Sequence, residues 1–387
     1  MKYRENPKNG DQLSILGFGC MRFPKDEKEV EKQIIYAIEN GVNYFDTAYI
    51  YPNSEAVLGR ILSKGYRERV KIATKLPPYL VKKREDLDKI FNEELSRLQT
   101  NYIDYYFIHM ITDVNIWTRL IELDILEWIE EKKKSGQIRN LGFSYHGGRD
   151  EFVKLIDLFD WDFCMIQYNY LDEHNQAGKS GLQYAASKGI PVMIMEPLRG
   201  GKLVTNLPKA VYQVWDNAYV KRSPAEWAFR WIWNHPEVMV VLSGMNSQEM
   251  VEENIRVASD AQAESFTELD YALFDQVSKI LMETIKIPCT GCNYCIPCPV
   301  GVDIPTCFSC YNNIEIEGKI GAITKYIMQT SLKSKAHNAS LCIQCGKCET
   351  HCPQNIPIRL ELAKVSKAME GLYYKPARFV IKKFMRL

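Results

Sequence analysis

From Leu16 to about Ala258, short apolar runs alternate with amphipathic stretches. The runs are LGFGCMRF (16–23), VNYFDTAY (42–49), VKIATKL (70–76), IDYYFIH (103–109), IRNLGFS (138–144), FCMIQYNY (163–170), IPVMIMEPL (190–198) and VMVVLSGM (238–245). Their length and composition predict strands. Between them, stretches such as EVEKQIIYAIENG and REDLDKIFNEELSRLQ carry helical periodicity, as do LDILEWIEEKKKSG and GLQYAASKG, and several end in Gly, a common helix stop. Strands alternating with helices predict an α/β chain with a parallel sheet. Eight such units over about 250 residues suit a closed (β/α)8 TIM barrel. A doubly wound open sheet is the alternative, but no G-x-G-x-x-G follows the first strand. A hairpin before Leu16 is expected to close the barrel bottom.

Residues 266–286 place Phe266, Leu269, Leu273, Val277 and Ile280 on one helical face. This helix leads to Pro288 and a change of composition, so the domain boundary is set near Lys286. Residues 1–286 are expected to form the barrel, and 287–387 a small, mainly helical second domain. Residues 310–335 again have helical character.

Acidic and basic residues nearly balance, at net charge +1 over 387 residues. No nucleic-acid or other polyanionic partner follows from bulk charge. The first residues are polar, without the apolar segment of a secretory signal. No apolar stretch approaches the ~18 residues a membrane helix needs. A cytoplasmic location is expected, where cysteines stay reduced.

The cysteines change the picture most. Eight of the twelve fall in two runs, Cys289-x2-Cys292-x2-Cys295-x2-Cys298-Pro299 and Cys342-x2-Cys345-x2-Cys348-x3-Cys352-Pro353. Such spacing turns successive thiolates toward one centre and predicts two [4Fe-4S] clusters in a ferredoxin-like arrangement. The second run matches the bacterial pattern in full; the first is one residue short in its last gap. In two-cluster ferredoxins the cysteine before proline serves the other cluster. By that rule Cys289, Cys292, Cys295 and Cys352 hold one cluster, and Cys342, Cys345, Cys348 and Cys298 the other. The short gap leaves open that Cys298 closes its own quartet. Zinc would call for two separated pairs of ligands. Disulfides at three-residue spacing would be strained. Cys298-Pro-x2-Val302-x-Ile304 and Cys352-Pro-x2-Ile356-x-Ile358 suggest a duplication. Cys307 and Cys310 are assigned to packing on a helix after Pro305. Cys20 and Cys164, in apolar runs, are assigned to the core.

Barrel enzymes build their sites at the C-terminal ends of strands. At those ends stand Asp46 and then Tyr51, Lys75, and His109. Each alone has a structural explanation: a cap, a surface phenol, a solvated amine, a core imidazole. Together they form a proton-transfer constellation. A phenol with pKa ~10 is a poor acid at neutral pH. Lys75 beside Tyr51 would favour phenolate, and Asp46 would hold Lys75. His109 would orient a carbonyl, and Tyr51 would be the acid in its reduction.

DTAYIYPNSEAVLGRIL, IATK, YIDYYFIH, MEPLRGGKL and MVEENI resemble the aldo-keto reductase family from about Leu16 to Ala258, and the whole chain resembles its subgroup with a C-terminal two-[4Fe-4S] extension. The resemblance implies the tetrad Asp46, Tyr51, Lys75 and His109, and an NAD(P)-dependent oxidoreductase acting on a small carbonyl or alcohol. It implies nicotinamide contacts at Ser144, Gln167 and Met195, phosphate contacts along Leu198, Arg199 and Gly200, and further cofactor contacts at Ser243, Gly244, Glu253 and Asn254. Tyr145 stands where the family usually has Asn, and Met195 where it has an aromatic ring. Gly244 and Met250 stand where cations grip the 2′-phosphate of NADPH, so NADP and NAD both remain open. Arg22 either enters the same mouth or forms a structural ion pair. The alternative is an electron-transfer protein whose barrel docks a partner, or a flavin enzyme holding FMN, since a flavin links hydride to single-electron chemistry. The basic tail, with Lys364, Lys367, Lys375, Arg378, Lys382, Lys383 and Arg386, is assigned to a terminal helix over the clusters in preference to a membrane-surface helix.

Overall fold

The structure, a computed structural model, describes residues 1–331, 336–372, 374–376 and 378–379. A two-stranded antiparallel hairpin, β1 (Tyr3–Glu5) and β2 (Gln12–Ser14), precedes eight parallel strands. These are β3 (Leu16–Gly19), β4 (Tyr44–Asp46), β5 (Lys71–Leu76), β6 (Ile103–Ile111), β7 (Ile138–Tyr145), β8 (Phe163–Gln167), β9 (Val192–Met195) and β10 (Val238–Ser243). They pair in sequence order, and β10 closes on β3 to complete the barrel. The expected (β/α)8 architecture is present.

Side chains alternate along a strand, so every second residue points inward. The barrel interior is filled from below by Leu13, Tyr44, Ala73, Tyr105, Phe107, Phe163, Met165, Met193, Val240 and Leu242. Leu13 comes from the hairpin. Tyr105 donates its hydroxyl to Asp11 at 2.8 Å, tying the hairpin to the barrel. Two residues beyond Tyr44, Ala73 and Phe107 stand Asp46, Lys75 and His109. The apolar column therefore ends in polar residues at one mouth.

Several elements differ from the sequence pattern. The run 16–23 is strand only to Gly19, and Cys20–Arg22 form a 3-10 turn that leaves Arg22 exposed. The run 163–170 is strand only to Gln167. The helix Glu268–Thr284 buries Asp270, Phe274, Val277 and Leu281, while Leu269 is 68% exposed. The expected face is rotated because Asp270 turns inward, where Tyr219 donates to its carboxylate at 2.9 Å. Phe274 beside it packs edge-on against Trp215 at 5.3 Å.

The chain divides into two compact units: Met1–Pro197 with Ala225–Thr267, and Leu198–Pro224 with Glu268–Leu387. The first holds the barrel strands. The second joins the segment after β9 to the cysteine-bearing region. Its core contains Ile287, Val302, Ile304, Phe308, Tyr326, Ile356, Ile358, Leu362 and Val365. Val302 and Ile304 meet Ile356 and Ile358 there, so the repeated sequence halves share one core. Cys307 and Cys310 are buried in it, on the helix Ile304–Asn312. Cys20 and Cys164 are buried in the first unit.

Helix Ile358–Met369 carries Lys364 and Lys367 exposed. Beyond it Tyr374 is buried in the same core, and Arg378 donates to the Ser331 carbonyl at 3.1 Å. Lys382, Lys383 and Arg386 lie outside the described residues. Among the described residues no helix is long and apolar enough to cross a membrane.

Candidate active site and cluster sites

Lys75 is almost fully buried and donates from Nζ to Asp46 Oδ1 at 2.5 Å and to the Thr47 carbonyl at 2.6 Å. Parallel pairing produces this pairing of side chains: Asp46 lies opposite Ala73, so Lys75, two residues on, projects over the same interior face. Burial pushes the Asp46 carboxyl up, and the Lys75 ammonium offsets part of that. Removing one partner of such a buried pair costs about 3–5 kcal/mol, because the other charge is stranded.

Tyr51 follows the end of β4 in a turn. Its backbone N–H donates to the Ala48 carbonyl at 2.9 Å, and Asn53 adopts left-handed φ of 59° before helix Ser54–Leu62. Ser54 fixes this turn, donating to the Cys20 carbonyl at 2.8 Å and pairing with Thr47 Oγ1 at 2.7 Å. The phenol ring is half-buried. Lys75 Nζ stands 5.2 Å from its centroid, and the His109 ring meets it edge-on at 6.1 Å. Burial first, then the Lys75 charge and His146, hold the His109 imidazole well below the usual histidine range. His109 is therefore neutral at pH 7.

Behind this group lies a buried polar network. Thr74 Oγ1 donates to Glu55 Oε1 at 2.6 Å, Arg97 to Glu55 Oε2 at 3.1 Å, and Tyr106 to Glu94 Oε2 at 2.7 Å. Burial pushes the Glu94 carboxyl well above the usual range, with the Glu55 charge adding to it. The network locks helix 54–62 against Glu85–Leu98. Gly59 is needed at that crossing: a Cβ there would fall 2.4 Å from the Arg97 carbonyl oxygen.

Three features escaped the sequence pattern. Met110, next to His109, has φ of 54°, and its N–H donates to Ser144 Oγ at 2.8 Å. Ser144 thus holds the peptide that carries His109. His146 is buried at the end of β7, and burial lowers its pKa to about 4 despite a hydrogen bond with Gln176. Asn169 and Asp172 join this group: Asp172 Oδ2 accepts from Gln167 at 2.8 Å and from Asn169 at 3.0 Å. No periodicity marks these positions, because their signal is a backbone conformation or a partner distant in sequence.

The residues expected to hold a nicotinamide cofactor are placed as follows. Ser144 and Gln167 are buried at the ends of β7 and β8, and Met195 is half-buried at the end of β9 against the interior core. Ser144 accepts from Met110 and keeps its hydroxyl proton to donate. Gln167 Oε1 accepts from Gln176 at 3.1 Å. Ser243 Oγ accepts from Asn254 at 3.0 Å, joining the end of β10 to helix Gln248–Asp260. Gly244 is exposed, and Glu253 is half-buried on that helix. These groups suit a polar carboxamide and the neighbouring half of a nucleotide. Tyr145 instead turns its hydroxyl to the Gly148 carbonyl at 2.6 Å. In the second unit, Arg199 is buried at φ of 48°, followed by exposed Gly200 at 64°, and Leu198 is half-buried.

The second unit also gathers the cysteines. Cys289, Cys292, Cys295 and Cys352 line one cavity with Ile304, Phe308 and Ile356. The thiolates of Cys289, Cys292 and Cys352 all bear on Cys295, whose thiol burial pushes up. Cys298 bears instead on Cys348, together with Cys342. Cys345 is exposed. The proline-linked cysteines therefore cross between the runs. No three His, Cys, Asp or Glu among the described residues converge on a single ion. Four sulfurs around a cavity suit a cluster of several irons.

Comparison with known proteins agrees with this arrangement. The aldo/keto reductase family model matches residues 15–273, and a 4Fe-4S dicluster domain model matches residues 288–356. A 6-dehydroglucose reductase from Novosphingobium aromaticivorans is 28% identical over 67% of this chain and 90% of its own length. An NADH-specific methylglyoxal reductase from Escherichia coli is 25% identical over 67% of this chain and 96% of its own. The holo form of aldo-keto reductase AKR11C1 from Bacillus halodurans superposes with TM-score 0.61 at 25% identity, covering 72% of this chain and 96% of that one. These comparisons lend no support to FMN. The chain belongs to the aldo/keto reductase family and carries a C-terminal 4Fe-4S dicluster domain.

Proposed function

We propose that the protein is a nicotinamide-dependent reductase of small carbonyl compounds, running also in the alcohol-oxidising direction. The observation that carries this reading is the buried Lys75, bonded to Asp46 at 2.5 Å and lying 5.2 Å from the Tyr51 ring. Tyr51 donates the proton to the carbonyl oxygen in reduction and takes it back in oxidation. Lys75 stabilises the phenolate left behind, and Asp46 keeps the ammonium in place. Neutral His109 hydrogen-bonds the substrate oxygen without competing for the proton. Ser144, Gln167, Met195, Ser243, Gly244, Glu253 and Asn254 hold the cofactor, with Leu198, Arg199 and Gly200 along its phosphates. Bound NADH or NADPH supplies a hydride to the carbonyl carbon. One relative is by name NADH-specific, and Gly244 and Met250 offer no cation to a 2′-phosphate, so NADH is the favoured donor.

Two [4Fe-4S] clusters belong to the same reading, one on Cys289, Cys292, Cys295 and Cys352, the other on Cys342, Cys345, Cys348 and Cys298. Bound clusters supply single-electron transfer. The exposure of Cys345, two residues after Ile343 at 62% exposure, favours exchange with an electron-transfer protein at the second site. The test is isotopic. Purified holoprotein, 4-deuterated NADH or NADPH and a panel of small aldehydes should yield alcohol deuterated at the former carbonyl carbon. Reduction of the clusters by a protein donor, with no deuterated alcohol from any aldehyde, would favour the electron-transfer reading.

A further inference from the structure

The segment after β9 contributes a cation to the cysteine-bearing unit. Leu203 and Leu207 are buried and anchor it, and Lys202 lies just ahead of them. Lys202 Nζ donates to Ser309 Oγ at 3.0 Å, on the helix Ile304–Asn312. Lys202 and Arg199 line one cavity together with Cys289, Pro288, Leu281 and Asn312. Of the other lysines of this unit, Lys286 is paired with Glu315 at 2.5 Å, and Lys325 is close enough for its charge to act on Lys202. Lys202 is thus held by a neutral hydroxyl in a cavity that Cys289 of the first quartet also lines.

We propose that Lys202 sets the reduction potential of the cluster held by Cys289, Cys292, Cys295 and Cys352. The inference rests on the ligation stated under the proposed function. Reduction adds one electron to that site; no bond forms or breaks, and the negative charge grows by one. A fixed positive charge in a poorly solvated cavity stabilises the added electron. Charge, burial and hydrogen bonding near the sulfurs are the known levers on such potentials. Burial lowers the Lys202 pKa and Lys325 adds to that, while the Cys289 and Cys310 thiols offset part of it. Lys202 follows Leu198, Arg199 and Gly200 in the same short segment.

The experiment is an EPR-monitored redox titration of the holoprotein, comparing wild type with Lys202→Gln and Lys202→Arg, each with its iron and sulfide content measured. Lys202→Gln is expected to make the first cluster harder to reduce by about tenfold, a fall of ~59 mV for one electron. The second cluster should not move, and Lys202→Arg should stay near wild type. If Lys202→Gln fails to load the first cluster, Ser309→Ala is titrated in its place; a smaller fall at the first cluster is expected. An unchanged first potential in the loaded variant, or equal shifts of both clusters, overturns the inference. Wild-type protein without two cluster signals would instead overturn the ligation on which it rests.

Discussion

At the residue scale, the proposed chemistry rests on one buried ion pair and two rings. Tyr51→Phe keeps the ring and removes the acid. It should lower turnover on the order of 10²–10⁴-fold while leaving both clusters loaded, as steady-state rates and iron content would show. Unchanged turnover would contradict the role given to Tyr51. His109 and His146 make a pH prediction. Both pKa values are lowered by burial, so the folded chain excludes protons that the unfolded chain binds below ~6.5. Their contribution to stability is complete above that value and is lost as pH falls toward the folded values, about 4 for His146. Imidazole NMR should keep both rings neutral from pH 8 down to 5.5. Protonation of His109 with a midpoint near 6.5 would show that the ring is not desolvated as described. Asp46, Lys75 and His109 were legible in sequence because two-residue alternation carries an apolar column up to a polar end; Tyr51, in the turn after β4, was legible through its spacing from Asp46 and the family resemblance. His146 was not: one histidine after a strand looks the same whether it faces solvent or the core.

At the element scale, the strands were legible in number and order, but their ends were not. Cys20–Arg22 continue an apolar run yet form a 3-10 turn, and residues 168–170 leave the sheet while remaining buried. Burial and strand pairing are separate properties, and hydrophobicity reports only the first. The face of helix Glu268–Thr284 was misplaced for the converse reason, since Asp270 is polar and buried through Tyr219. The connection between β6 and β7 supports a prediction of its own. Ser144 Oγ accepts the N–H of Met110, a non-glycine residue at φ of 54°. Ser144→Ala would leave that N–H unsatisfied, at a cost of about 1–3 kcal/mol. The denaturation midpoint of the barrel should fall accordingly. A midpoint equal to wild type would mean that Met110 does not need this bond to hold its conformation.

At the scale of the whole molecule, an aldo/keto reductase barrel and a 4Fe-4S dicluster domain share one chain. The spacing of the cysteines was enough to show the dicluster domain, because each ligand run is local in sequence. The crossing of Cys298 and Cys352 was open, since the shortened gap before Cys298 allowed either closure. In the structure Cys352 joins Cys289, Cys292 and Cys295, and Cys298 joins Cys342 and Cys348. Cys352→Ala should therefore damage the first cluster and Cys298→Ala the second, read as loss of one EPR signal in each single variant. Loss of the first-cluster signal in Cys298→Ala would contradict the crossed ligation. The grouping of Leu198–Pro224 with the cysteine-bearing unit had no signature in the sequence pattern, because the segment follows a barrel strand and its partners, Asp270, Phe274 and Ser309 among them, are distant in sequence.

In the proposed reading the barrel mouth reduces carbonyls with a nicotinamide hydride through Tyr51. The most direct measurement follows deuterium from 4-deuterated NADH into a small aldehyde, in wild-type and Tyr51→Phe holoprotein of equal iron content. The account predicts deuterium on the former carbonyl carbon in the wild type and a rate lower on the order of 10²-fold or more in the variant. Equal rates in the two proteins, or an alcohol without deuterium, would contradict it.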